Sequence, residues 1–225
     1  MISGFSRPQE MRDENIKVLE NYLCFLSRPL GKGNFSEVFY GTDKNTNKEV
    51  AIKIIKKSSL NSKVAEQLFR NEVTILQELD HESVLKCNDV LSSKNNCYII
   101  TEFYEGGDLE KELQRKKRFS EREVSKYIYY IFQGLLYLQN KFIIHRDLKI
   151  ANIFLSKNGN PKIADFGFAT KSNESFKDIK IGSPIYMSPE GLLLNEYSPK
   201  TDVWSFGVLI YEMIHGDTPL SGCRS

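Results

Sequence analysis

Cysteine is scarce and unpaired in this chain. Cys24, Cys87, Cys97 and Cys223 are scattered, with no CxxC spacing, which argues against a disulfide framework and against a zinc site. Cys87 and Cys97 lie in apolar runs, as buried free thiols of a reducing compartment do, so a cytoplasmic location is expected. An excess of one charge is also missing. Lys and Arg total 31 against 29 Asp and Glu, a formal net charge of +2, too little to argue for nucleic acid or an acidic membrane surface as partner. No apolar run approaches the ~20 residues of a membrane span. The opening stretch MISGFSRPQEMRDEN lacks the apolar stretch of a secretory signal. No internal repeat or low-complexity segment stands out.

What is present is an ordinary globular composition: 225 residues, 40% hydrophobic and 27% charged, enough for one large domain or two small lobes. Residues 1–21 are polar and read as an extension or short helix. From Tyr22 to Ile55 the pattern predicts strands, broken by Gly31, Gly33 and the turn DKNTNK. Val64, Leu68, Val73, Leu76 and Leu79 recur at helical spacing. Two more strands flank the turn SKNN. After YEGGD the chain turns helical, with Ser120 and Glu123 forming a capping box. The basic run RKKR at 115–118 ends a helix, where cations suit the dipole. TDVWSFGVLIYEMIHG is an apolar helix fit for a lobe's centre.

Several stretches carry chemistry. In LGKGNFSEV, Gly31 and Gly33 let backbone amides approach an anion, although two glycines in a hairpin are more often a plain turn. A dinucleotide fingerprint would need glycine at position 36, which is Ser36, and a helix directly after. Lys53 ends an apolar strand and Glu72 lies in the following helix between Leu68 and Leu76. Such a pair can hold a lysine against phosphate oxygens; the bland alternatives are a snorkelling lysine or a surface pair. In IIHRDLKIANIFL, Asp147 can accept a hydroxyl proton, Lys149 can neutralise a phosphoryl group, and Asn152 with Asp165 offers the oxygen donors Mg²⁺ prefers. Together these make a phosphoryl-transfer site.

The set GKGNFSEV, AIK, Glu72, HRDLKIAN, DFG, SPE and DVWSFG, in that order across about residues 23–220, resembles the eukaryotic protein kinases. HRDLK followed by GSPIYMSPE resembles the Ser/Thr type, and the latter segment is similar to the autophagy-initiating kinases and their neighbours. The resemblance implies an α+β, two-lobed fold. Residues 1–22 would be an N-terminal extension. Residues 23–101 would form an N-lobe of five antiparallel strands and one helix, and 102–225 the hinge and a mainly helical, incomplete C-lobe. It implies ATP and Mg²⁺ as cofactors and Ser or Thr of proteins as acceptors.

Position by position, the resemblance implies that Leu30, Gly31, Gly33 and Phe35 cover the nucleotide. Val38 and Ala51 would lie above the adenine and Phe154 below it. Lys53, paired to Glu72, would bind the α- and β-phosphates. Thr101 would be the gatekeeper, Glu102 and Tyr104 the hinge contacts, and Asp108 would reach the ribose. Asp147 would be the catalytic base, Lys149 the γ-phosphate's support, and Asn152 and Asp165 the metal ligands. Leu76, Cys87, His145 and Phe166 would stack as a spine, leaving His145 a packing residue, and Asp202 would anchor the catalytic loop. Glu212 and Asp108 could meet a substrate arginine, whereas Ala151 cannot.

The departures are Ser36 for the third glycine, Ile150–Ala151 for the commoner Pro-Glu, and Ile179 at the usual loop phosphosite, beside Asp178. Ser172 and Ser175 offer other modification sites. The ending GDTPLSGCRS leads to the expectation that further C-lobe helices are missing, together with a cation for Glu190. An apolar helix exposed in that way would invite a chaperone. The rival expectation is accordingly a catalytically impaired nucleotide-binding or interaction protein.

Overall fold

The computed structural model describes residues 15–33, 36–172, 181–219 and 221–222. Phe35, Ser175, Asp178, Ile179 and Cys223 lie outside them. The chain divides into two compact units, one of residues 1–60 with 88–103, the other of 61–87 with 104–225.

The first unit is built on a six-stranded sheet. Its strands are β1 (Ile16–Leu19), β2 (Tyr22–Lys32), β3 (Ser36–Asp43), β4 (Glu49–Lys56), β5 (Cys87–Ser92) and β6 (Asn96–Glu102), in the order β1-β2-β3-β4-β6-β5. Five are the strands expected. The sixth, β1, falls inside the stretch read as a polar extension. It forms because Leu19 can be buried while Ile16 to Leu19 pair antiparallel with Phe25 to Tyr22, a gain no local pattern in IKVL announces. Pro29 sits where the β2–β3 register shifts, the position in a sheet that tolerates a missing N–H.

Register assigns the faces. Val38 pairs with Lys53, and Ala51 with Thr101. Residues two apart share a face, so Val38, Ala51, Lys53 and Thr101 lie on one side of the sheet. Gly31, opposite Val38, falls in the same row. The other side carries the apolar cluster of Leu19, Tyr22, Cys24, Val50, Ile52, Tyr98 and Ile100. Burial there pushes the Cys24 thiol up to about 11, so this sulfur is a packing group and not a nucleophile.

The second unit holds α1 (Lys63–Glu78), α2 (Leu109–Lys116), α3 (Glu121–Asn140), α4 (Pro189–Leu194) and α5 (Pro199–His215). Its short strands are β7 (Ile143–Ile144), β8 (Ile153–Leu155), β9 (Pro161–Ile163) and β10 (Thr170–Lys171). β7 pairs with β10 and β8 with β9. Ser62 caps α1, its hydroxyl accepting the Ala65 N–H. The buried face of α1 is Asn71, Glu72, Ile75 and Leu76, whereas Val64, expected inward, is exposed. Gly134 brings α3 close to β9: a Cβ there would stand 2.9 Å from Ile163 Cδ1 and 3.0 Å from the Ser83 carbonyl.

The expected capping box opens α3. Glu123 Nα donates to Ser120 Oγ, and Ser120 Nα donates to the Glu123 carboxylate. Lys116, at the end of α2, pairs with the same carboxylate. Lys116 first and Ser120 second hold Glu123 down at about 2 from an ordinary 4.5. A depressed carboxylate contributes stability that is present above its unfolded pKa and is lost as pH falls through the folded one. Glutamine keeps the box but not the charge. The melting difference between the native chain and Glu123→Gln should therefore be full at about pH 5 and vanish towards about pH 2.

Ser198 caps α5 with Pro199 at its first position, and Gly216 ends it at φ +83°. α5 buries Asp202, Ser205, Phe206, Val208, Leu209 and Met213 and exposes Val203, Trp204, Tyr211 and Ile214. Of the six large side chains among which exposed ones are expected, Phe206, Val208, Leu209 and Met213 are buried, Ile210 is half-buried and Trp204 is exposed, so the helix is covered more fully than expected and bare at Trp204. Among the described residues, no helix is long and apolar enough to cross a membrane.

Candidate active site

The stretch His145–Asn152 leaves β7 as an irregular loop and is held by a buried carboxylate. Asp202 Oδ2 accepts the His145 N–H at 2.8 Å, and its Oδ1 accepts the Arg146 N–H at 3.0 Å. Burial raises the Asp202 pKa; His145, Arg146 and the two N–H bonds act against that rise. The anchoring role expected of Asp202 is met by this geometry. His145 is fully buried. Its Nε2 lies 3.0 Å from the Ala164 carbonyl, which only accepts, so Nε2 carries the proton. Nδ1 then accepts the Asp147 N–H at 3.3 Å. The ring meets Phe166 edge-on at 5.0 Å. His145 is therefore a packing residue, as read, and also ties the loop to the strand before Asp165.

Three donors converge on Asp147, which is only 4% exposed. Ser183 Oγ donates to Oδ1 at 2.9 Å. Lys149 Nζ reaches Oδ2 at 2.8 Å, and Asn152 Nδ2 reaches Oδ2 at 3.1 Å and the Asp147 carbonyl at 2.8 Å. Lys149 Nζ also donates to Ser183 Oγ at 3.0 Å. Nothing in the residue types of GSPIYMSPE assigns Ser183 a role. Its signal is the glycine before it. Gly182 sits at φ +111°, and a Cβ there would stand 2.7 Å from the Arg146 carbonyl. This close approach brings Ser183 onto Asp147 from 36 residues away.

Asp165 is exposed at the turn after β9, with φ +60°. Its Oδ1 accepts the Gly167 N–H at 3.4 Å. Asn152 spends its amide nitrogen on Asp147 and keeps its carbonyl oxygen as a donor for a metal. One carboxylate and one amide suit Mg²⁺ completed by phosphate oxygens. Among the described residues no cluster of three His, Cys, Asp or Glu could hold a metal by itself. Glu72 is buried in α1, its Oε2 3.9 Å from where a Cβ on Gly167 would stand. Leu76 is buried and Cys87 half-buried.

Asp108 caps α2: Oδ1 accepts the Lys111 N–H at 2.8 Å, and Oδ2 pairs with Lys111 Nζ at 2.8 Å. Tyr104 and Phe154 stand with ring centroids 6.3 Å apart. Glu212 accepts the Tyr186 hydroxyl, so one carboxylate oxygen has an internal partner. Burial raises the Glu212 pKa, against the pull of Tyr186. In the sheet unit, Leu30, Gly31 and Gly33 lie in the exposed stretch at the end of β2 and just beyond it, and Gly33 Nα donates to the Ser36 carbonyl at 2.8 Å. Thr101 and Glu102 close β6 half-buried.

The chain is 37% identical over 194 residues to an Aurora kinase of Schizosaccharomyces pombe, covering 86% of this chain and 55% of the relative. It is 38% identical over 194 residues to an Aurora kinase of Yarrowia lipolytica, covering 86% and 52%. Over 227 residues it is 36% identical to the hormonally up-regulated neu tumor-associated kinase homolog A of Xenopus laevis, covering 98% and 32%. The chain spans about half the length, or less, of these curated relatives, and their names carry no subfamily assignment for it. The family model described as protein kinase domain matches residues 26–225, and the chain belongs to that family.

Proposed function

We propose that the chain is a protein serine/threonine kinase that transfers the γ-phosphoryl group of ATP to protein hydroxyls with Mg²⁺. The observation that carries the reading is the convergence of Ser183, Lys149 and Asn152 on the Asp147 carboxylate. It fixes a proton acceptor beside a cation, in the order HRDLK that resembles the Ser/Thr type. Asp147 takes the proton of the attacking Ser or Thr hydroxyl as its oxygen bonds to the γ-phosphorus and the bond to the β–γ bridging oxygen breaks. Lys149 offsets charge on the phosphoryl oxygens in flight. Asn152 and Asp165 would hold Mg²⁺, which would neutralise charge on the phosphates when bound. Lys53, on the face of the sheet shared with Val38, Ala51 and Thr101, takes the α- and β-phosphates.

The test is radiolabel transfer from ATP to a peptide library containing Ser, Thr and Tyr, with and without Mg²⁺. Transfer to Ser and Thr supports the reading; transfer to Tyr alone, or nucleotide binding without transfer, overturns it. Asp165→Asn is the better metal-site variant than Asp165→Ala, because asparagine tolerates the left-handed backbone. It should lower turnover more than about ten-fold, the least that loss of an outer-shell metal partner costs, and raise the Mg²⁺ concentration needed for half-maximal rate.

A further inference from the structure

Tyr197 lies between α4 and α5, fifty residues from Asp147. Its hydroxyl donates to the Ile181 carbonyl at 3.0 Å. Its ring faces the Arg146 guanidinium, whose carbon stands 5.4 Å from the ring centroid, within cation–π range. The two things it touches flank the active centre. Arg146 precedes Asp147, and its Nε donates to the Phe168 carbonyl at 2.6 Å. Ile181 precedes Gly182 and Ser183, the hydroxyl bound to Asp147 and Lys149.

We propose that Tyr197 is a positioning residue for phosphoryl transfer: its ring holds Arg146 from one side, its hydroxyl holds residues 181–183 from the other, and together they keep Ser183 on Asp147. The proposal rests on the reading of Asp147 as proton acceptor. The ring is itself fixed. A Cβ on Gly191 would stand 3.4 Å from Tyr197 Cε1, so α4 packs flush against it.

Tyr197→Phe removes the hydroxyl and keeps the ring. Losing one hydrogen bond of about 1 kcal/mol corresponds to about a five-fold effect. In the full chain, kcat should fall by roughly that factor with KM for ATP unchanged, while hydrogen exchange at amides 181–183 rises by a similar factor and elsewhere stays the same. In a Ser183→Ala background, Tyr197→Phe should add nothing, since its effect travels through Ser183. A kcat loss that multiplies in that background, or unchanged exchange at 181–183, overturns the proposal. If the native chain transfers no phosphate to any library, the proposed function fails separately, and the exchange comparison still decides on Tyr197.

Discussion

Asp147→Asn should cut phosphoryl transfer by about 10²–10⁴-fold, the range a general base contributes, while the melting temperature moves little. The site explains why the fold survives. Lys149 and Asn152 both meet Oδ2 as donors, and an ammonium cannot accept, so the amide oxygen must take that place. The new NH₂ then faces Ser183, whose hydroxyl can rotate to accept it. The amide of residue 147 keeps its partners in the variant, and the cost is confined to the Ser183 O–H, which loses the carboxylate oxygen it donated to. Paired measurement of turnover and thermal unfolding checks this, and near-native turnover would remove Asp147 from the chemistry.

Asp202→Ala should act the opposite way, through stability first. It orphans the buried N–H groups of His145 and Arg146, at ~1–3 kcal/mol each and about 2–6 kcal/mol together. Total stability of a domain is only ~5–15 kcal/mol. The melt should drop by roughly 5–20 °C, and turnover should vanish with the loop's geometry. Asparagine should rescue little, because its NH₂ would meet one of the two N–H donors head-on. The neighbouring Val203→Ala, at an exposed position, should change stability by no more than about 0.5 kcal/mol. An Asp202→Ala melt no lower than that control would show that the loop holds itself.

The contrast between these residues also marks what could be read in advance. Ser120 and Glu123 sit three apart, so their capping box was visible in a window of four residues. Asp147, Lys149 and Asn152 share one loop, and their proximity was legible from spacing. Ser183 and Tyr197 were not, because their contacts with the loop depend on a single glycine at φ +111° and on how α4 and α5 pack. β1 was hidden for a similar reason: four residues of mixed polarity become a strand only when β2 is there to pair with them. On α1, spacing gave the helix and set Glu72 inward beside Leu76, and both are buried. It misplaced only the first turn, where Val64 is exposed, and passed over Asn71, a polar member of the buried face.

The backbone of Asp165 has a consequence for selection. At φ +60° aspartate is among the L-residues that accept a left-handed backbone, yet glycine adopts it with less strain, and among the described residues this exposed side chain accepts one long bond, from Gly167. In a library of variants screened for heat resistance alone, glycine should accumulate at position 165. In the same library screened for phosphoryl transfer, glycine should disappear there. The two screens pull this one codon in opposite directions, so its occupant records which property the chain has been kept for.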